Sequence, residues 1–299
     1  GEDTEMRSFP ILIQTLNDIK SIASGHYHCL AVANTGKVHT WGSGSWGKLG
    51  LASDANQRSP RMIASIQSSI VETVSCGSHH SVAITATGDV WTWGKGARGQ
   101  LGHNSVKEEY SPRLVAMLRK RGAERVRCGD DHTLVLLRNG DVLAFGANAH
   151  GQLGLGDLQD RGLPMQIVGG PGFDEEQIAD MACCGNSSLV LSNTGKVYMF
   201  GDAGKEAKDN LANFWIPQLI KFLPKGDPIT AVGRSGNSCF AVSDTGNLFR
   251  WTLANAVHAD SGDDSNSLLE SMHAIRGVVR IYCGVDHMAV ICTPDMGCT

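Results

Sequence analysis

The sequence predicts an all-β fold, a β-propeller of four-stranded blades with about six blades visible. Three observations predict it. Glycine is abundant, 36 of 299 residues, against only 9 prolines, which fits many tight turns between short strands rather than a linker or a collagen-like repeat. A pattern of glycine, histidine and aromatic residues recurs with a period near fifty residues. Each period holds four short apolar stretches, which is the content of one blade.

The strands of a blade are named A to D from the inside outward. Strand A ends in Cys76-Gly77, Cys128-Gly129 or Cys283-Gly284, followed by His80, His132 and His287; Ser24-Gly25 leads likewise to His28. A second glycine closes the B–C turn at Gly36, Gly88 and Gly140. Two divergent copies keep that glycine as Gly195 and Gly246, with Ser187 and Ser238 in place of the histidine. Tight turns that need positive φ are the expected reason for the glycines. Strand C reads x-V-x-x-W/F-G at Val38/Trp41, Val90/Trp93, Val142/Phe145 and Val197/Phe200, with a degraded copy at Leu248/Trp251. The alternation in Asp89-Val90-Trp91-Thr92-Trp93 fits a strand with one buried face. The C–D loop carries G-x-L-G at Gly47–Gly50, Gly99–Gly102 and Gly151–Gly154, and strand D opens on Pro60, Pro112, Pro164 or Pro217. Equivalent positions 25, 77, 129, 184, 235 and 284 are spaced by 52, 52, 55, 51 and 49 residues.

Five periods are complete, from Ile19 to about His273. The sixth is split. Val278–Cys283 and Met288–Cys292 read as its two inner strands, and Phe9-Pro10-Ile11-Leu12-Ile13 as its outer strand. Residues 1–299 are therefore expected to form a single domain whose last blade is shared between the termini, a segment of a longer protein.

The formal net charge is −4, so nucleic acid and anionic membrane are not the default partners. No apolar run approaches the ~18–20 residues that span a bilayer, and no signal peptide opens the chain. Nine cysteines, an odd number without a C-x-x-C pair, point to buried free thiols in a reducing, cytoplasmic or nuclear compartment. The histidines at equivalent positions read as hydrogen-bonded turn residues rather than a metal ring, because they recur with the repeat. The strand C aromatics read as packing between blades. Neither a nucleophile–base–acid constellation nor a phosphate loop stands out, so no catalytic residue, metal or cofactor is expected.

The succession G-x-x-H-[ST]-x-x-[LV], T-x-G-x-V-x-x-W-G and G-Q-L-G resembles the RCC1 repeat family over nearly the whole chain. The Gly-Gly pair of kelch repeats does not recur with the period, occurring once at Gly169-Gly170, and the Trp-Asp of WD40 repeats is absent. The resemblance implies an RCC1-like propeller, usually of seven blades, and two classes of activity. One is guanine-nucleotide exchange on the small GTPase Ran, coupled to chromatin. The other is protein interaction within a larger polypeptide such as a ubiquitin ligase or a kinase. In the exchange factor, acidic and histidine side chains of the A–B turns meet the GTPase, and the matching positions here hold His79, Asp130, Asp131 and Asp286. Asn186 and Ser187 break the acidic series in the next blade, no interval leaves room for a large wedge insertion, and the chain opens acidic. The reading is thus a monomeric, non-catalytic interaction module. Its partner is a protein, with a small GTPase or a ubiquitin-pathway protein as the candidates.

The candidate contacts lie on the face carrying the A–B turns and C–D loops: Trp46, His79, Arg98, Asp130, Asp131, His150 and Asp286. A second candidate is the basic patch Arg113, Arg119, Lys120, Arg121, Arg125 and Arg127 around one D–A crossover, suited to an acidic partner or phosphate. Asp260, Asp263, Asp264 and Glu270 read as a long polar surface loop of blade 5.

Overall fold

Each repeat folds into an antiparallel meander in the computed structural model, which describes residues 9, 11–202, 214–224, 226–252, 269–272, 275, 277–283 and 288–293. Blade 1 is β1 (Ile19–Ser24), β2 (His28–Ala33), β3 (Val38–Gly42) and β4 (Gln57–Met62). Blade 2 is β5 (Val71–Cys76), β6 (His80–Thr85), β7 (Val90–Gly94) and β8 (Glu109–Leu114). Blade 3 is β9 (Ala123–Cys128), β10 (His132–Leu137), β11 (Val142–Gly146) and β12 (Arg161–Gln166). Blade 4 is β13 (Ile178–Cys184), β14 (Ser187–Ser192), β15 (Val197–Gly201) and the short β16 (Gln218–Leu219). Blade 5 is β17 (Ile229–Ser235), β18 (Ser238–Ser243), β19 (Leu248–Thr252) and the short β20 (Glu270–Ser271). In a sixth sheet, among the described residues, β21 (Val278–Cys283) pairs with β22 (Met288–Cys292). The prolines Pro60, Pro112 and Pro164 fall inside the outer strands, where a missing N–H costs no ladder bond.

The core lies between blades rather than within them. Five hydrophobic clusters each join two consecutive blades among the described residues. Successive residues of strand B feed opposite clusters: Leu134 and Leu136 turn toward blade 4, Val135 and Leu137 toward blade 2. All six residues of β10 are therefore buried. A sandwiched blade is covered on both sides; in β7, where the sequence alternates, Val90, Thr92 and Trp93 are buried and Trp91 is half-buried. The strand C aromatics pack against the preceding blade, as the sequence implies: Trp93 on blade 1, Phe145 on blade 2, Phe200 on blade 3 and Trp251 on blade 4. Trp41 has no described blade before it and is only half-buried.

The G-x-L-G loop stitches each blade to the next. Its leucines Leu49, Leu101 and Leu153 are completely buried, each worth ~2 kcal/mol by the area it removes from water. A Cβ on Gly50, Gly102 or Gly154 would meet Trp93, Phe145 or Phe200 of the following blade at 2.9, 3.0 and 2.9 Å.

Two expectations are corrected here. Residues 11–13 form no strand, with Ile11 51% and Leu12 81% exposed; Pro10 lies outside the described residues. An outer strand pairs with a strand C edge, and among the described residues the sixth sheet shows its two inner strands alone. Glu270 sits in the outer strand β20, where it meets Arg250 at 3.1 Å, and not in a loop; residues 260–264 lie outside the described residues. No helix among the described residues is long and apolar enough to cross a membrane.

Candidate functional site

A buried chain of hydrogen bonds repeats at three blade junctions. The Ser81 hydroxyl donates to the Lys48 carbonyl at 2.8 Å and meets His28 Nε2 at 2.9 Å. Thr133 Oγ1 does the same with the Gln100 carbonyl (3.0 Å) and His80 Nε2 (2.9 Å). Ser188 Oγ repeats it with the Gln152 carbonyl (2.9 Å) and His132 Nε2 (2.9 Å). A hydroxyl has one hydrogen, and the carbonyl takes it, so each histidine donates from Nε2. Burial pushes the histidines down to about 3 at His28 and His132 and about 4 at His80. The turn histidines are clasps between neighbouring blades.

The clasp also changes the reason for the first glycine of each repeat. A Cβ on Gly77 would lie 2.2 Å from His80 Cε1 and 2.6 Å from the Gly129 oxygen, and Gly25 and Gly129 are as crowded. These glycines serve space, whereas Gly36, Gly88 and Gly140 serve the expected positive φ, at 80°, 79° and 87°. Blades 4 and 5 dispense with the clasp histidine. Their glycine moves one place on, to Gly185 (φ 57°) and Gly236 (φ 52°), in two-residue hairpins. Arg234, almost wholly buried, joins blade 5 to blade 4 by donating to the carbonyls of Cys184 and Ser187.

Above the clasps lies the face of A–B turns and C–D loops. Between blades 2 and 3, Gln100 Oε1 accepts the Arg98 N–H at 2.8 Å and its Nε2 donates to Asp131 Oδ1 at 2.8 Å. Between blades 3 and 4, Gln152 Oε1 accepts the His150 N–H at 2.9 Å and its Nε2 donates to Asn186 Oδ1 at 3.2 Å. Between blades 1 and 2 the glutamine is replaced by Lys48, which offers no acceptor. There Trp46 stands at φ 61°, the only one of the three equivalents at positive φ. Its ring is 38% exposed and 4.6 Å from the His79 ring, with Lys48 Nζ and Lys95 Nζ each 5.7 Å from its centre. Lys48 itself is fully covered, and its Nζ donates to Ser45 Oγ at 3.0 Å.

The patch continues across the next two turns. Lys95 lies 3.5 Å from Asp131, and His26 lies 3.6 Å from Asp130 and 3.1 Å from Ser78 Oγ. Burial, then Lys48 and Lys95, hold His79 below the usual histidine range, with Asp131 opposing. Of the sequence candidates, Trp46, His79, Asp130 and Asp131 thus come together. Arg98 and His150 belong to the following junctions, Arg98 ion-paired with Asp160 at 2.8 Å and His150 4.0 Å from Asp202. Asp286 lies outside the described residues. Sequence reasoning missed His26, Lys48 and Lys95; the signal for Lys48 was its departure from the glutamine of the two sister loops.

The basic patch divides. Arg113 pairs with Glu109 at 2.5 Å, while Arg125 and Arg127 both pair with Asp180 of blade 4, at 3.3 and 3.2 Å. Arg119, Lys120 and Arg121 remain as an exposed basic tripeptide on the other face. The eight described cysteines are free, and burial pushes Cys128 and Cys183 up to about 12. Among the described residues no cluster of three or more His, Cys, Asp or Glu is placed to hold a metal.

A family model described as an RCC1-like domain matches residues 1–209. Human E3 ubiquitin-protein ligase HERC2 is 30% identical over 289 residues, taking in 93% of this chain and 6% of that protein. The chain therefore spans a small fraction of that relative. The structure of human WBSCR16 superimposes with a TM-score of 0.76 at 24% identity, covering 91% of this chain and 73% of that one. Prp20p of Saccharomyces cerevisiae superimposes with a TM-score of 0.67 at 17% identity, covering 93% and 83%.

Proposed function

The chain belongs to the RCC1-like domain family, and from that premise we propose that it is a non-catalytic protein-interaction module of a larger regulatory protein such as a ubiquitin ligase. Its working surface is the face of A–B turns and C–D loops. The observation that carries this is the patch around Trp46, where an exposed aromatic ring, lysines, histidines and aspartates stand on turns fixed from below by the clasps. Aromatic and charged groups on a rigid frame are what the centre of an interface requires. The ligase context is supported by HERC2, in which a region similar to nearly this whole chain is 6% of an E3 ubiquitin-protein ligase.

Exchange on a Ran-type GTPase is the competing role; the Prp20p structure is described together with binding to Gsp1p and histones. Against it, Asp131 is engaged by Gln100 and Lys95, and Asn186 takes the equivalent place in the next blade. The test is capture from cell extract by the immobilised chain, read by mass spectrometry. Proteins retained by the wild type should be lost with Trp46→Ala and kept when Arg119, Lys120 and Arg121 are all changed to Ala. Retention of the same set by Trp46→Ala would count against this face. Robust acceleration of nucleotide release from Ran by the chain would count for exchange.

A further inference from the structure

We propose that the junction of blades 1 and 2 is a carboxylate-recognition site, which receives an Asp or Glu side chain of the partner between Trp46, Lys95 and His79, over Lys48. The proposal rests on the interaction reading above and names the chemistry of its partner.

Two departures from the repeat converge on one ring. Lys48 stands where the sister loops carry Gln100 and Gln152, and Lys95 stands where blades 1 and 3 carry Ser43 and Ala147. One lysine comes from blade 1 and the other from blade 2, yet both ammonium groups lie 5.7 Å from the centre of the Trp46 ring. The chain as a whole is acidic, at −4, so this pairing of cations is not a sample of general basicity. The local carboxylates are already shared. Asp131 serves Lys95 and Gln100, and Asp130 serves His26.

Lys48 is the sharper anomaly. It is fully covered, and the hydrogen bond of its ammonium group goes to a neutral hydroxyl, Ser45 Oγ, which leads on to Ser43 Oγ at 3.1 Å. Covering a charge without an opposite charge is costly. His79, whose ring lies 4.6 Å from the same indole, adds a buried Nδ1 without a hydrogen-bond partner, a feature it shares with His28, His80 and His132 of the clasps. The loop adds a third cost, a tryptophan at φ 61°, and such strain concentrates where a ligand is held. The same replacement links these features. By removing the acceptor that the sister loops offer to the N–H of Arg98 and His150, Lys48 frees the loop to turn Trp46 outward. A partner carboxylate supplies the missing anion, and the indole face takes the apolar stem that carries it.

The test uses two fluorescein-labelled peptides that differ only in carrying glutamate or glutamine at three central positions, with binding followed by fluorescence anisotropy at low salt. The glutamate peptide should bind about tenfold tighter than its twin, the scale of one charge-assisted hydrogen bond. Lys48→Gln and Lys95→Ala should each remove most of that discrimination. Lys48→Gln installs the residue of the sister loops, so it should fold at least as stably as the wild type; if it does not, Lys95→Ala alone carries the test. The opposite-face triple variant of Arg119, Lys120 and Arg121 should bind as the wild type does. Equal binding of the two peptides, absence of binding by either, or discrimination that survives both lysine variants would overturn the proposal. So would discrimination lost only in the triple variant, which would move carboxylate recognition to the other face. If the peptides bind alike while Trp46→Ala still abolishes capture from extract, the interaction face stands and its carboxylate chemistry falls.

Discussion

Between blades 2 and 3, Gln100 ties the Arg98 backbone to Asp131; one blade earlier Lys48 holds the same place, and its ammonium group hydrogen-bonds Ser45 instead of bridging Trp46 and His79. Beneath this difference the two junctions are alike. Each has a histidine, a hydroxyl and a carbonyl in one buried line, with the hydroxyl within 3.0 Å of both partners. The repeat therefore keeps its variation in the outer layer. A donor or acceptor stranded between blades is costly, so the clasp tolerates little change, whereas a side chain in the layer above can be exchanged and the surface re-aimed. Blade 5 marks the limit of that tolerance. There the clasp itself is gone, and Arg234 reaches back to blade 4 instead.

The largest expected effect breaks the shared layer. Gly77→Ala drives a methyl group into His80 and the Gly129 carbonyl and should cost about 3 kcal/mol. Gly185→Ala meets nothing within 4 Å, so it should cost only the ~1 kcal/mol of a left-handed residue. Urea unfolding of the two variants checks this, and equal losses would remove the steric account. Next comes Thr133→Val, which keeps the shape but strands the His80 N–H and the Gln100 carbonyl. About 2 kcal/mol should be lost, and a neutral result would mean the clasp contributes nothing net.

Acid sharpens the same comparison. The clasp histidines are neutral in the fold and about 3 to 4 in pKa, while the unfolded chain takes up protons below about 6.5. The unfolded state then binds more protons, so stability rises with pH across this window and is lost as pH falls from about 6.5 toward 4. Each histidine should contribute a slope of about 1.4 kcal/mol per pH unit. His80→Gln should flatten the profile by one such share; an unchanged slope would contradict the neutral clasp. The smallest effect is in the outer layer. Lys48→Gln removes a covered charge that has no anion and should raise stability by at most about 1 kcal/mol, and it should relieve His79 of a neighbouring cation. Its titration, followed by NMR, should move to higher pH. No movement would separate Lys48 from His79.

The frame of the repeat was legible from the chain. The x-V-x-x-W/F-G pattern coincides with β7 and β11, and the Cys-Gly pairs mark the ends of β5 and β9. These signals are local, set by turns and by alternation. The clasp was not legible, because His80 and Thr133 lie 53 residues apart in sequence and only blade packing brings them together. Asp180, which neutralises Arg127 from 53 residues away, hid for the same reason, and the basic cluster looked larger than it is. The apolar stretch at residues 9–13 failed differently. A strand needs an edge, and among the described residues the sixth sheet consists of β21 and β22, with no strand C beside them.

Hydrogen–deuterium exchange of the chain, free and bound to a captured partner, tests the central claim most directly. Protection should appear in residues 43–48, 78–80, 95–98 and 130–131, the turns and loops that carry the Trp46 patch, with residues 116–122 unchanged. Protection confined to 116–122, with the Trp46 turns exchanging as in the free chain, would contradict it.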